Sequence, residues 1–97
     1  NGFFITKSLL AAYYQNNDVD SIERTIVPKL NVKDIDPVML GFYSYVLLTK
    51  GKDEDAQKFF LKAKEKGLTR KRLSLFVNYK KVLDEFIEKL KPLGSLD

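Results

Sequence analysis

PVMLGFYSYVLLTKGKDEDAQKFFLKAKEKG, residues 37–67, decides the fold. Its first half, Pro37 to Leu48, is a nearly uninterrupted apolar run of 12 residues. That is too short to span a bilayer but long enough for three turns of helix. Asp36 before Pro37 supplies an N-cap and a first-turn proline, and Gly51 closes the far end. Val38, Met39, Leu40, Phe42, Tyr43, Tyr45, Val46, Leu47 and Leu48 surround this third helix, so it must be sandwiched between neighbours. A fourth helix starts at Asp53, carries Ala56, Phe59, Phe60 and Ala63 at helical spacing, and ends at Gly67. The stretch is a helical hairpin.

The same grammar extends in both directions. Upstream, a first helix runs from Phe3 to Gln15, with Phe3, Ile5, Leu9, Leu10, Ala12 and Tyr13 as the expected buried positions. Asn16-Asn17-Asp18 is a turn, and Asp18 is a good N-cap for a second helix with Ile22, Ile26 and Leu30 on one face. Pro28 should kink that helix or end it near Val27. Downstream, a fifth helix starts after Thr69. Its stripe of Leu75/Phe76, Tyr79, Val82/Leu83, Phe86/Ile87 and Leu90 lasts until Pro92 and Gly94 stop it. No segment alternates in the manner of a strand.

A shift of 34 residues superposes the two hairpins: Leu9 falls on Tyr43, Leu10 on Ser44, Tyr13 on Leu47, Asn17 on Gly51, Ile22 on Ala56 and Ile26 on Phe60. A helix–turn–helix unit at that period resembles the tetratricopeptide repeat family. The resemblance rests mainly on Pro37–Leu68, where Leu40 stands for the family's tryptophan, Tyr43 for its leucine, Ser44 for its glycine and Leu47 for its tyrosine. Ala56, Phe60 and Ala63 match the second-helix positions, and Lys50 to Ala56 looks like the usual interhelix turn. The first hairpin diverges: Leu10 and Ile22 replace small residues, and Lys29 replaces an alanine. The resemblance implies an all-α fold, an α-α superhelix of about five helices in one domain over residues 1–97. Its parts are a hairpin at 3–34, a hairpin at 37–67 and a capping helix at 70–91. The chain lacks an initial Met and reads as a fragment of a longer protein.

The family's function is protein–protein interaction, as a scaffold and not an enzyme. In such solenoids the first helix of each pair lines a groove. The register places Phe4, Lys7, Ala11, Tyr14, Val38, Gly41, Phe42, Tyr45 and Leu48 there, with Tyr79 joining from the fifth helix. An aromatic groove of this kind suits a protein segment that docks apolar side chains, or a second copy of the chain. The opposite outcome is that the fifth helix covers these residues as core; an open groove would leave Tyr14 and Tyr45 exposed. The family's carboxylate clamp, which needs Lys, Arg and Asn at set positions, is not reproduced. Only Lys7 fits it, which argues against acidic chaperone tails.

Chemistry is constrained by what the chain lacks. With no Cys and no His, disulfides, thiolate nucleophiles and Cys/His zinc sites are excluded. The acidic clusters at Asp18/Asp20/Glu23, Asp34/Asp36 and Asp53/Glu54/Asp55 fall at helix N-termini, where capping accounts for them. Asp84/Glu85/Glu88 reads as a solvated face, and the five glycines are isolated, so no phosphate loop is present. Neither a catalytic residue nor a cofactor or metal is expected.

The net charge of +4 is uneven. Residues 58–81 hold nine basic side chains against Glu65 alone: Lys58, Lys62, Lys64, Lys66, Arg70, Lys71, Arg72, Lys80 and Lys81. Lys58, Lys62, Lys66, Arg70, Lys71 and Arg72 form a candidate cationic patch for nucleic acid phosphates, anionic lipid or an acidic protein. Aromatic interleaving for base stacking is missing, which disfavours nucleic acid. Membrane contact would come only through this patch or through segments outside the chain. No signal peptide is visible, so the expected setting is cytoplasmic or facing the cytoplasm.

Overall fold

A computed structural model describes residues 2–96, with side chains from Ile5 onward. All of its regular structure is helical: α1 (Gly2–Gln15), α2 (Val19–Ile26), α3 (Pro37–Thr49), α4 (Asp53–Glu65), α5 (Arg70–Ser74) and α6 (Lys80–Leu90). Asp18 caps α2 through the Ser21 N–H, and Asp36 caps α3 through the Val38 N–H. α2 ends at Ile26, and Pro28 sits in a single 3-10 turn over Val27–Lys29, where its missing N–H costs nothing.

α2 packs against both α1 and α3, and α4 lies along α3, so helices two and four each lie beside the helix preceding them. The two interhelix turns are the same object 34 residues apart. Asn17 and Gly51 both take positive φ, 57° and 78°. The Asp18 N–H donates to the Tyr13 carbonyl and the Lys52 N–H to the Leu47 carbonyl, both at 2.9 Å. That is the left-handed helix stop that satisfies carbonyls left open at a helix C-terminus. Equivalent inward positions are sealed as well: Leu10 and Ser44, Ile22 and Ala56, Ile26 and Phe60 are all fully buried. Ser44 is accommodated because its hydroxyl donates to the Leu40 carbonyl at 2.9 Å.

Two expectations are corrected. The capping helix at 70–91 is not continuous. It breaks between Ser74 and Lys80, because the chain must bury Leu73 and Val77 against the body and then return α6 across α1 and α3. A straight helix would carry Phe86 away from the core it completes. The buried face of α1 also differs. Leu10 is buried as expected and Tyr13 is half-buried, but Ala11 and Tyr14 are buried as well, whereas Ile5, Leu9 and Ala12 are exposed; the expected burial of Phe3 falls on a side chain outside the described ones. The reason is α6: its arrival on the groove side gives α1 a partner there, and among the described residues nothing covers the opposite stripe.

Beyond α6 the tail folds back onto α4. The Gln57 amide donates to the Leu93 carbonyl at 2.8 Å. Gly94, at φ +152°, lies against the Phe60 ring, where an added Cβ would stand 2.8 Å from Cε2. The array therefore curls around its own terminus, and its extents of 28 × 28 × 24 Å are nearly equal in all directions.

Candidate functional site

The faces of α1 and α3 expected to line a groove are covered by α6. Phe86 enters between them, with ring centroids 4.9 Å from Tyr14, 4.7 Å from Phe42 and 5.7 Å from Tyr45. Tyr14 and Tyr45 meet edge to face at 5.1 Å, an arrangement that favours aromatic pairs beyond their area. Val38 and Phe42 are buried, and so are Tyr14 and Tyr45; Leu48 is half-buried. The groove residues are thus brought together as core and not as an open surface. Gly41 is buried too, with Leu68 Cδ2 3.0 Å from where its Cβ would be.

The rim positions have other fates. Lys7 donates to Asp36 at 2.6 Å and lies 4.4 Å from the Phe76 ring centroid, so it ties α1, α3 and the α5–α6 turn together. Tyr79 does not join the groove; it stands 69% exposed at the start of α6. The side chain of Phe4 lies outside the described residues. What remains open on the groove side is a cavity of about 250 Å³ beside α6, lined by Tyr14, Gln15, Asn17, Val82, Glu85 and Lys89. The Tyr14 hydroxyl is buried at its edge, beside the Lys89 ammonium. Burial pushes that phenol above its ordinary value, and the neighbouring Lys89 ammonium pulls it partly back.

The surface that sequence reasoning assigned to the interior is the outward stripe of α1. Ile5 and Leu9, four residues apart, are 63% and 45% exposed, with exposed Ser8 and Ala12 alongside. Four-residue spacing places Ile5 and Leu9 on one face. On α2 and its 3-10 turn, exposed Val27 and Pro28 line a shallow apolar depression of about 470 Å³ with Glu23 and Arg24. The sequence reading expects Ile5, Leu9 and Ala12 to be buried, and all three are exposed. It could not tell which partner the stripe would meet.

The basic run divides into two parts. Lys58 and Lys62 stand exposed along α4, with Leu61 between them 51% exposed, and Lys66 is half-buried at the end of that row. Arg70 is turned inward to Asp84, which also accepts from Lys80 at 3.1 Å. These two cations hold the Asp84 carboxyl below its usual range, Arg70 more strongly. Lys71, Arg72 and Lys81 are exposed, and no acidic group among the described residues pairs with them. Arg72 folds over the Gly67 turn, its guanidinium carbon 3.5 Å from where a Cβ would be.

Between these charges lies a feature the sequence reading missed. The break in the last helix leaves Leu75 61% exposed and Tyr79 69% exposed, inside the most basic part of the chain. Charge placement gave no warning of it: Lys80 and Lys81 occupy the first turn of α6 with no acid, the unfavourable sign for a helix N-terminus by about 0.3–1 kcal/mol each at low salt.

No described helix is long and apolar enough to cross a membrane. No family model matches the chain, and no curated protein and no solved structure matches it either.

Proposed function

We propose that this chain is a non-enzymatic interaction scaffold of the tetratricopeptide type, which associates by stacking another helical hairpin against α1. The observation that carries the reading is the stripe of Ile5, Leu9 and Ala12: apolar, on one helix face, and exposed. Two further features support it. The interhelix turns recur with the same hydrogen bonds 34 residues apart, and α2 already packs between α1 and α3 as one hairpin does on the next. In a stacked array each hairpin buries one face on its successor and offers the other to its predecessor. Among the described residues the first hairpin packs on the second, and the outward stripe of α1 is uncovered.

The occupant committed to is a second copy of this chain, whose own α1 offers the self-complementary surface that a two-fold contact requires. Small Ser8 and Ala12 beside Ile5 and Leu9 allow two such helices to approach closely. The groove between α1 and α3 is secondary in this reading, since a partner segment would enter it only by displacing Phe86. Sedimentation equilibrium of the chain from about 1 to 100 μM tests the reading, a range that covers an association free energy near −8 kcal/mol. A concentration-dependent dimer is expected, reduced to monomer by Leu9→Glu or Ile5→Glu with unchanged helical circular dichroism. A monomer throughout, or a dimer indifferent to both variants, overturns it.

A further inference from the structure

The α5–α6 corner combines three properties. It carries two large exposed apolar side chains, Leu75 and Tyr79. It carries four cations in immediate sequence proximity to them, Lys71, Arg72, Lys80 and Lys81, all exposed. The acids beside it are already engaged, Asp84 by Arg70 and Lys80 and Asp36 by Lys7. Single exposed apolar residues are ordinary and carry nothing. Here the turn holds two within a chain length of about 14 Å, and cations flank them on both sides.

We propose that this corner docks on an anionic bilayer surface, with Leu75 and Tyr79 entering the interface and Lys71, Arg72, Lys80 and Lys81 holding lipid headgroups. Charge complementarity sets the sign of the partner: Lys71, Arg72 and Lys81, which pair with no acid among the described residues, attract an anionic leaflet, each adding to binding within a Debye length of it, with Lys80 shared with Asp84. The apolar pair sets its kind. A tyrosine with its ring in the acyl boundary and its hydroxyl among headgroups is in its preferred place, and a leucine beside it gains from leaving water. A nucleic acid would use Tyr79 by stacking but has no use for Leu75. Behind Leu75 a depression of about 270 Å³, lined by Lys7, Asp36, Val38, Arg72, Leu75 and Phe76, leaves room for a headgroup phosphate on Arg72. Lys7 contributes little charge there, because Asp36 already holds it at 2.6 Å.

Flotation of the full chain with vesicles tests this, using phosphatidylcholine alone and with about 30% phosphatidylserine at about 0.1 M salt. Binding to the anionic vesicles and not to the neutral ones is expected. Lys71→Ala and Lys81→Ala should each weaken it about fivefold, the double variant Leu75→Ser with Tyr79→Ser about tenfold, and Lys58→Ala with Lys62→Ala hardly at all. The chain has no tryptophan, so Tyr79→Trp reports insertion directly, and its emission should shift to the blue on anionic vesicles only. All these side chains are exposed, and thermal melting of each variant checks that the fold is kept. Three outcomes overturn the proposal: no binding to anionic vesicles, binding that survives loss of Leu75 and Tyr79, or an unshifted emission at position 79. Equal binding of a single-stranded RNA oligonucleotide, indifferent to Leu75, would show a general polyanion patch and overturn it as well.

Discussion

The two helical hairpins share a turn and differ in nearly everything around it. Asn17 and Gly51 occupy the same left-handed stop, with the same hydrogen bond from the next residue back to the fifth before it. Yet α3 is wrapped on all sides, with Pro37 to Phe42 and Ser44 to Leu47 buried without a gap, while α1 buries Leu10, Ala11 and Tyr14 and leaves Ile5 and Leu9 in water. Local sequence therefore determines how the chain reverses direction. The number of neighbours determines what each helix is worth to stability. A helix with neighbours on every side, as α3 has, is core; a helix with neighbours on one side, as α1 has among the described residues, is half core and half surface.

The largest effect expected from that difference is on stability. Phe42 is fully buried against Phe86, so Phe42→Ala should cost about 3–5 kcal/mol, the usual range for deleting a core aromatic. In a chain of this length such a loss is a large share of the total, and urea titration should find the variant largely unfolded. Leu9→Ala, on the uncovered face of α1, should change the stability of the monomer by no more than about 0.5 kcal/mol. A large loss from Leu9→Ala measured on dilute monomer would mean that α1 has a partner within the chain that the comparison misses.

The next effect separates the turns themselves. Gly51 has φ +78° and open space around it, with nothing within 4 Å of an added Cβ. Gly51→Ala therefore tests backbone conformation alone and should cost about 1 kcal/mol, a fall of about 4–8 °C in Tm. Asn17 stands at φ 57° in the equivalent place and tolerates that region better than most residues. Asn17→Gly should lie within about 0.5 kcal/mol of the parent, because the relief in the turn is offset by a freer unfolded chain. If Gly51→Ala is neutral, the two stops are not mechanically equivalent.

These contrasts also explain what the sequence disclosed. The caps at Asp18 and Asp36, the stops at Asn17, Gly51 and Gly67, and the end of α2 before Pro28 are local chemistry, decided within four or five residues. Each stands where its residue type demands. The buried ring of Phe86 depends instead on which helices lie beside α1 and α3. Leu9 and Tyr14 are both apolar enough to be core, and only the return of α6 selects Tyr14. The same holds for the break between α5 and α6: no Pro or Gly lies between Leu75 and Lys80 to announce it. It follows from the need to bury Leu73, Val77 and Phe86 at once. Residues 70–91 carry one continuous helical stripe in sequence and two separate helices in space.

The smallest expected effect uses acid to divide the hairpins. The second helix of the first hairpin is capped by a side chain that titrates: the Asp18 carboxylate accepts from the Ser21 hydroxyl at 2.6 Å and the Ser21 N–H at 3.1 Å. Those bonds, the hydroxyl's first, hold its pKa below the ordinary value, with a smaller pull from Arg24. At the equivalent place Lys52 makes no side-chain cap at all. A carboxyl with a depressed folded pKa adds stability that is fully present above its unfolded pKa, near 4, and is lost as pH falls through the folded one. Acidification from about pH 5 to pH 3 should therefore fray the start of α2 through its cap. The α4 start has no side-chain cap to lose. Amide exchange separates the two: protection at Ser21 and Ile22 should fall further than at Asp55 and Ala56. Asp18→Asn, which keeps a capping oxygen without a titratable one, should remove that excess sensitivity of α2. If the variant frays as much as the parent between those pH values, the acid sensitivity of the first hairpin comes from elsewhere. The uncovered face of α1 would then be the next place to test.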